Sequence, residues 1–280
     1  MKINGFQNHR SGSRWLHHNR FEALSVLMYH HVGPVRAGAL AGLTIAPERF
    51  KRQMHWLKRR GFCSIVGSDW LAWRSSGKQL PAKPVMITFD DAYADLVRYA
   101  FPVLRDLGFK ATVFVVTDEI GGKNSWDRET GSDSLCCMSG EQITYWSKLG
   151  IEFGVHSKTH ADLTLLSDEQ LEEEVAGSGR DLADLLGIVP SSFAYPYGFY
   201  NDSVLCTTRR RFQLAFTCDE GLNRLGTDLH LLHRTKVEPE DSLLDFILRV
   251  RYGFSAVQRV RLFIRAHPRL RKVLRWIKKS

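Results

Sequence analysis

Short apolar segments alternate with longer amphipathic segments along most of the chain, and this alternation restricts the fold more than any other feature. The apolar segments at 23–29, 85–89, 111–116 and 151–155 predict buried strands, and the segments between them predict helices. Repeated units of this length imply an α/β fold with a mainly parallel sheet. Hydrophobic periodicity does not show whether that sheet is open or closed into a barrel, so both forms are compatible with the sequence.

Residues typical of helix ends support the predicted helices. Ser139 and Ser167 are each followed by a glutamine three residues later, which is the spacing of a capping box. Asn201 has a side chain that can cap the start of a further helix. Pro102 lies within the helical pattern at 96–107, where it is expected to kink or divide the helix.

The composition is that of a globular protein. The chain has 280 residues, 44% of them hydrophobic, which is enough for the core of one large domain with short additions. No apolar run approaches the roughly 18–20 residues that span a bilayer, and residues 1–20 contain no apolar stretch typical of a signal peptide. The five cysteines form no C-x-x-C pair and are expected to be free thiols in a reducing compartment. We therefore expect a cytoplasmic protein.

The net charge of +9 is concentrated at the C-terminus. Residues 246–280 contain eleven lysines and arginines and no acidic residue, so residues 1–245 carry a net charge of −2. No motif for nucleic-acid recognition accompanies this charge, and nucleic acid is not expected as a partner. These features divide the chain into an N-terminal segment (1–20), an α/β domain (21–245) and a basic amphipathic helical tail (246–280).

The tail has the periodicity of a helix with one apolar and one basic face. Between residues 257 and 279 apolar residues recur every three or four positions, with a break at Pro268. Such a helix can bind an anionic membrane surface, which would hold the protein peripherally on the inner membrane face. A terminal helix that packs on the α/β domain and keeps its charged face in solvent is the alternative.

Two polar motifs lie at the ends of predicted strands. Asp90 and Asp91 follow the second of these strands, and His156 and His160 follow the fourth. Parallel strands end at the same edge of a sheet, so these side chains can share one site. Two imidazoles and a carboxylate are a usual ligand set for a first-row metal, and the second aspartate is left to act on water. Taken singly, an Asp-Asp pair is often a helix cap, and an H-x-x-x-H pair often occurs by chance.

A third motif, Phe-Ala-Tyr-Pro-Tyr-Gly at 193–198, also ends a predicted strand. With it, the chain resembles the polysaccharide deacetylase family, also called the NodB-homology family or carbohydrate esterase family 4. The family's T-F-D-D, H-S/T-x-x-H and R-x-P-Y motifs correspond to residues 88–91, 156–160 and, imperfectly, 194–197, and the resemblance covers about residues 24–237. It implies a distorted (β/α) barrel and the hydrolysis of an N-acetyl group on a sugar, which yields acetate and a free amine.

The resemblance also implies a role for each matched residue. Asp90 is the expected general base, and Asp91, His156 and His160 are the expected metal ligands. The backbone amide of Tyr197 is expected to help hold the oxyanion. Zinc is the expected divalent metal, and nickel or cobalt suit the same ligands.

The chain departs from the common family pattern at Ala194, where many members have an arginine that pairs with the catalytic aspartate. This departure, and the Val-Leu-Met-Tyr-His-His segment that contains His30, resemble the branch of the poly-β-1,6-N-acetylglucosamine deacetylases. In that branch the general-acid histidine comes from the N-terminal segment, so His30 is the expected acid. His233, in a Leu-x-His motif, is the alternative candidate for the general acid. Arg234 is expected to replace the missing arginine by orienting Asp90.

These features predict a metal-dependent N-deacetylase of an amino-sugar glycan or glycolipid, with an N-acetylated glycan or a lipid-linked sugar as its substrate. Trp126 and Tyr197 can stack on sugar rings, whereas Trp146 is expected in the core. Two alternatives stay open. One is a deformylase of a lipid-linked sugar, and the other is a catalytically silent glycan-binding protein associated with the membrane.

Overall fold

Parallel strands form the central sheet of the computed structural model, which describes residues 23–35, 38–130 and 134–255. In chain order the strands are β1 (Ser25–Tyr29), β2 (His31–Val32), β3 (Thr44–Ile45), β4 (Cys63–Ile65), β5 (Pro84–Phe89), β6 (Ala111–Val115), β7 (Ile151–Val155), β8 (Ser192–Ala194), β9 (Leu214–Phe216) and β10 (Thr235–Lys236). Strands β1, β5, β6 and β7 confirm the four apolar segments that predicted strands. Strands β2 and β3 pair separately from the main sheet.

The main sheet curls until its two edges meet. Its order is β10-β1-β5-β6-β7-β8-β9, with β4 paired to the beginning of β5, and its pairings are parallel. Strand β9 also contacts the segment that leads into β10, because Thr217 N donates a hydrogen bond to Leu232 O at 2.9 Å. That contact joins the β9 edge to the β10 edge. The structure is therefore a distorted (β/α) barrel, and the expected fold is confirmed.

Helices follow most of the strands and cover the outside of the barrel. In chain order they are α1 (Pro47–Arg59), α2 (Gly67–Ser76), α3 (Asp95–Tyr99), α4 (Phe101–Asp106), α5 (Gly140–Lys148), α6 (Asp168–Glu172), α7 (Ser178–Leu186), α8 (Asp202–Arg211) and α9 (Leu243–Tyr252), and a π-helical segment (Glu173–Gly177) joins α6 to α7. The hydroxyls of Ser139 and Ser167 accept hydrogen bonds in the predicted capping boxes, and the Asn201 side chain caps α8. The predicted division near Pro102 is also confirmed, since α3 and α4 are separated at Ala100.

Alternate residues of the strands face two different cores. Val26, Met86 and Phe114 belong to a cluster inside the barrel, and the rings of Phe114 and Phe216 meet across it at 5.3 Å. Their sequence neighbours, such as Leu27, belong to the larger cluster between the sheet and the helices. Successive side chains of a strand point to opposite faces, so each strand has a fixed inward register. This register decides which residues at the strand ends point into the mouth of the barrel.

The last described helix, α9, belongs to the body of the protein. Phe246 and Val250 are buried in the larger core, and the ring of Phe246 packs edge-on against Trp56. The boundary predicted between residues 245 and 246 therefore falls inside a helix that is packed on the barrel, and the body extends at least to Tyr252. The N-terminal segment (1–20) and the predicted membrane-binding residues 257–279 lie outside the described residues. No helix in the described part of the chain combines the length and the apolar character needed to cross a membrane.

Candidate active site

Four polar side chains continue the inward register of their strands at the mouth of the barrel: His30 after β1, Asp90 after β5, His156 after β7 and Arg234 before β10. Their positions follow from the alternation, because Val26, Met86 and Leu232 are the inward-facing residues two or four positions away. All four side chains are largely or wholly buried, and the exposed fraction is 16% for His30 and at most 2% for the others. The barrel thus collects charged groups from distant parts of the chain at one end.

Arg234 holds Asp90 through a two-pronged ion pair. Its Nη1 donates to Asp90 Oδ1 at 2.5 Å and its Nη2 donates to Asp90 Oδ2 at 2.8 Å. The Nε of the same side chain donates to Thr217 O at 2.9 Å, and the guanidinium lies over the ring of Phe114. Burial by itself raises the pKa of Asp90, but the positive charge of Arg234 and the nearby histidines outweigh it and hold that pKa well below its usual range. Asp90 is therefore ionised and fixed in orientation.

Asp91 turns away from its neighbour because the backbone leaves the extended conformation there. Asp91 and Ala92 have φ values of 67° and 47°, in the left-handed region that non-glycine residues seldom adopt. This turn lets two consecutive aspartates reach the same cavity, which a continuing strand would prevent. Asp90 contacts Arg234, whereas Asp91 faces the two histidines that follow β7.

Asp91, His156 and His160 form a compact group of potential metal ligands. Asp91 Oδ1 lies 3.7 Å from His156 Nε2 and 3.5 Å from His160 Nε2. One donor atom from each of the three residues lies within 4.8 Å of the other two, and all three side chains are buried. His156 Nδ1 donates to the carbonyl of Ala194 at 2.8 Å, which fixes the tautomer and leaves Nε2 as a free electron-pair donor.

The chemistry of this group fits a divalent cation. Asp91 Oδ1 is buried without a hydrogen-bond partner among the described residues. Burial, together with the negative charges of Asp90 and Asp127, raises the pKa of Asp91 well above its usual range. Burial also lowers the pKa of His160 well below its usual value, so the imidazole is neutral, as a metal ligand must be. A cation among the three residues would partner the Asp91 oxygen and favour its ionised form.

The two candidate acids lie in different surroundings. His30 Nε2 is 3.8 Å from Asp90 Oδ2, and burial lowers the pKa of His30 to about 4 against the opposing charge of Asp90. His233 immediately precedes Arg234, so the alternation directs its side chain away from the barrel interior. The ring of His233 packs against Gly221, and within the described part of the chain it makes no ion pair with Asp90. The structure brings His30 to the site and not His233.

Two aromatic side chains contact the ring of His160. Trp126 stacks on it with ring centroids 4.9 Å apart, and Tyr197 meets it edge-on at 4.5 Å. Tyr197 has a φ of 59°, which turns the chain at the end of β8 and leaves about half of its side chain exposed. Trp146 is buried against Phe101, as expected for a core residue. Trp126 and Tyr197 therefore border the candidate metal site, and Trp146 does not.

A family model described as polysaccharide deacetylase matches residues 77–214, which are 138 of the 280 residues. The matched segment contains both aspartates, both histidines of the ligand group, and Tyr197. Over this segment the chain is similar to the polysaccharide deacetylase family. Enzymes of this family hydrolyse the amide C–N bond of N-acetyl groups. His30 and Arg234 lie outside the segment that the family model matches, and the barrel brings them to it.

Individual polysaccharide deacetylases show the same similarity. YxkH of Bacillus subtilis, named as a polysaccharide deacetylase, is 27% identical over 228 residues, which are 81% of this chain and 76% of that protein. The poly-beta-1,6-N-acetyl-D-glucosamine N-deacetylase of Staphylococcus epidermidis is 26% identical over 189 residues, which are 63% of this chain and 62% of that protein. The match thus covers less than two thirds of the staphylococcal enzyme.

Solved deacetylase structures share the fold. The deacetylase PplD of Streptococcus pyogenes, in complex with acetate, superposes with a TM-score of 0.70 at 27% identity and covers 81% of this chain and 97% of its own. IcaB of Ammonifex degensii superposes with a TM-score of 0.68 at 27% identity, covering 80% of this chain and 95% of its own. The structural similarity therefore extends over about four fifths of the chain.

Some residues of this candidate site were not predicted from the sequence. His31 Nε2 lies 2.8 Å from Asp95 Oδ2 and its Nδ1 lies 3.1 Å from Thr44 Oγ1, which anchors the segment that carries His30. Glu174 contacts the loop between His156 and His160. The alternation after β1 could have identified His31 as facing away from His30, but no local signal distinguishes Glu174 from its two glutamate neighbours.

Proposed function

We propose that the protein is a metal-dependent hydrolase that removes N-acetyl groups from an amino-sugar glycan or glycolipid. One observation carries this proposal: a buried carboxylate and two imidazole nitrogens converge beside a second carboxylate that an arginine holds in place. At a site with a purely structural role, each buried carboxylate would be paired with a cation or with hydrogen-bond donors. Here Asp91 Oδ1 is left without such a partner among the described residues.

Asp91, His156 and His160 would hold the metal. Three protein ligands leave coordination positions open, and a bound divalent ion supplies Lewis acidity that polarises a carbonyl and lowers the pKa of water. Zinc suits two imidazoles and a carboxylate, and nickel or cobalt suit the same set. The hydrogen bond from His156 Nδ1 to Ala194 O keeps Nε2 directed at Asp91.

Asp90 and His30 would move the protons of the reaction. Asp90 accepts a proton from the attacking water, and Arg234 keeps the carboxylate ionised and oriented for this step. His30 Nε2 lies 3.8 Å from the same carboxylate, so the proton can pass through this imidazole to the departing nitrogen. The water oxygen bonds to the acyl carbon, the C–N bond breaks, and the products are acetate and the protonated amine. The backbone amide of Tyr197 would donate a hydrogen bond to the developing oxyanion.

The proposed substrate is a glycan or a lipid-linked sugar that carries N-acetyl groups. The staphylococcal relative is named for its action on poly-beta-1,6-N-acetyl-D-glucosamine, and we propose an amino-sugar substrate of the same chemical class here. Trp126 and Tyr197 border the metal group and offer aromatic surface for a sugar ring. The basic tail would bring the enzyme to the inner membrane face, where lipid-linked sugars would be within its reach.

The test is acetate release from a panel of N-acetylated oligosaccharides and lipid-linked sugars, with metal content measured on the same protein. We expect about one divalent ion per chain and the loss of acetate release in Asp90→Asn and His156→Ala. Asp106→Asn is a matched control, since Asp106 is exposed at the end of α4. Wild-type turnover in either site variant would contradict the proposal. Formate as the product would indicate a deformylase, and glycan binding without any release would indicate a silent binding protein.

A further inference from the structure

The loop between the two ligand histidines adopts an unfavourable backbone conformation. Ser157 and His160 both have a φ of 64°, so the loop contains two non-glycine residues in the left-handed region. Such residues keep this conformation only where surrounding contacts enforce it. The direction of the His160 ring depends on the loop, and so does the separation between His156 Nε2 and His160 Nε2. The contacts that hold the loop therefore decide whether the two imidazoles converge.

Part of this support comes from the loop itself and from the neighbouring strand. His160 N donates to Ser157 Oγ at 2.9 Å. The segment after β6 donates to the loop carbonyls, with Asp118 N to Lys158 O at 2.9 Å and Thr117 N to Ser157 O at 3.3 Å. The last two of these bonds satisfy carbonyl groups of the loop. The backbone N–H groups at the centre of the loop are not satisfied by these bonds and require another acceptor.

A single carboxylate accepts those remaining donors. Glu174 Oε2 accepts from Lys158 N at 2.9 Å and from Thr159 N at 3.0 Å. Glu174 Oε1 accepts from the Thr159 hydroxyl at 2.6 Å. Hydrogen bonds to an ionised acceptor are stronger than neutral ones, and two oxygens of one rigid group fix both distance and angle. The Glu174 side chain thus clamps the middle of the loop from outside the metal group.

The π-helical segment directs Glu174 towards the loop. Glu174 lies within this segment, whose wider i→i+5 turn changes the direction of its side chains relative to those of a regular α-helix. The Ser178 hydroxyl donates to Glu174 O at 2.5 Å and to Val175 O at 3.1 Å, which satisfies carbonyls within the irregular segment. Glu173, one residue earlier, is exposed and pairs instead with Lys158 Nζ and Arg180. Two adjacent glutamates therefore have separate roles.

We infer that Glu174 is a positioning residue of the metal centre, which sets the separation of His156 and His160 through the backbone between them. This inference rests on the proposed metal-dependent function. Glu174 contacts neither the three ligand side chains nor the reacting groups in our assignment; it acts through Lys158 N and Thr159 N. Partners of this kind, one layer outside the ligands, typically change metal affinity by about 10- to 100-fold when they are replaced.

The test compares zinc affinity in the full-length protein, measured by competition with a chromogenic chelator, for Glu174→Gln, Glu174→Ala and the neighbouring control Glu173→Gln. We expect zinc affinity to fall about 10- to 100-fold in Glu174→Ala and less in Glu174→Gln, which keeps the shape but replaces one acceptor with a donor. Glu173→Gln, which changes side-chain ion pairs but no hydrogen bond to the loop backbone, should bind zinc like the wild type. The visible spectrum of the cobalt-substituted protein should change in the Glu174 variants and not in the control.

The outcomes separate this inference from the proposed function. Wild-type zinc affinity and an unchanged cobalt spectrum in Glu174→Gln and Glu174→Ala would overturn the inference and leave the deacetylase assignment intact. Weakened zinc binding in the Glu174 variants, together with a wild type that binds zinc but releases no acetate from any substrate, would overturn the assignment and support the inference. Wild-type protein that binds no zinc would overturn both. If Glu174→Ala does not fold, Glu174→Gln, which is nearly isosteric, decides the question.

Discussion

Replacement of Arg234 by methionine should destabilise the protein strongly, because the change leaves the Asp90 carboxylate buried without its partner. In the wild type Arg234 is fully buried and Asp90 is 2% exposed, so solvent screens this ion pair very little. Methionine is apolar and fills part of the space along the Phe114 ring. It removes the three hydrogen bonds that the guanidinium donates to oxygen atoms and the one that it donates to Cys218 Sγ. The substitution therefore leaves one buried charge, the Asp90 carboxylate, without its partner.

The expected size of the effect follows from the burial of the pair. Removal of one partner from a buried ion pair typically costs about 3–5 kcal/mol. In a protein of this size each kcal/mol lowers Tm by about 2–4 °C, so Arg234→Met should lower Tm by about 6–20 °C. Arg180→Met is the matched control, since the Arg180–Glu173 pair is exposed and such pairs contribute about 1 kcal/mol or less.

A double variant distinguishes loss of the charge pair from loss of packing. Asp90→Asn combined with Arg234→Met removes both charges, and pairs of this kind can be replaced by neutral groups without large cost. The double variant should therefore regain most of the Tm lost in Arg234→Met, while acetate release stays absent because the base is missing. Arg234→Lys keeps the charge but not the planar fork, and its acetate release should fall about 100-fold through misorientation of Asp90.

Thermal unfolding followed by circular dichroism, with acetate release measured on the folded fraction, provides both readouts. A Tm for Arg234→Met within 2 °C of the wild type, about the effect of an exposed pair, would refute the claim that Asp90 depends on this arginine. So would a double variant that is no more stable than Arg234→Met. Either result would mean that water or another group stabilises the Asp90 carboxylate.

Three further predictions concern the acid, the metal and the thiols. His30→Ala should lower kcat for acetate release by about 10²–10⁴-fold while His233→Ala stays close to the wild type, and the reverse order would reassign the acid. Dialysis against a strong chelator should abolish acetate release and lower Tm, and zinc, nickel or cobalt should restore both; activity that survives complete metal removal would contradict the ligand assignment. Iodoacetamide should modify the native protein at the three exposed cysteines before Cys137 and Cys218, because burial raises the pKa of both of these thiols. Mass spectrometry of the peptides would show the order, and early modification of Cys218 would contradict the dominance of burial over the opposing charge of Arg234.

Local features of the fold were predictable because they depend on neighbouring residues. The capping boxes at Ser139 and Ser167, the division near Pro102 and the strand Ile151–Val155 all follow from residues within one or two turns. Each involves side-chain chemistry that acts on the backbone a few positions away. The location of polar motifs at strand ends was predictable for the same reason.

Other features depend on how distant segments pack. The Glu174 clamp joins a π-helical segment to a loop sixteen residues away, and three consecutive glutamates give no sign of which one it is. The left-handed turns at Asp91, Ser157 and His160 oppose the intrinsic preferences of these residues. Tertiary contacts supply the energy for such conformations, so no local pattern indicates them.

The amino-acid sequence alone determined that this protein has alternating strands and helices, and that its acidic and histidine motifs lie at strand ends. The fold then decided which of those residues meet. Arg234 reaches Asp90 across 144 positions of sequence because the segment before β10 closes the barrel beside β1, and His233, one residue earlier, is turned away by the same alternation. Strand propensity and capping act over a few residues, whereas the orientation of a catalytic group depends on the register and closure of the whole sheet.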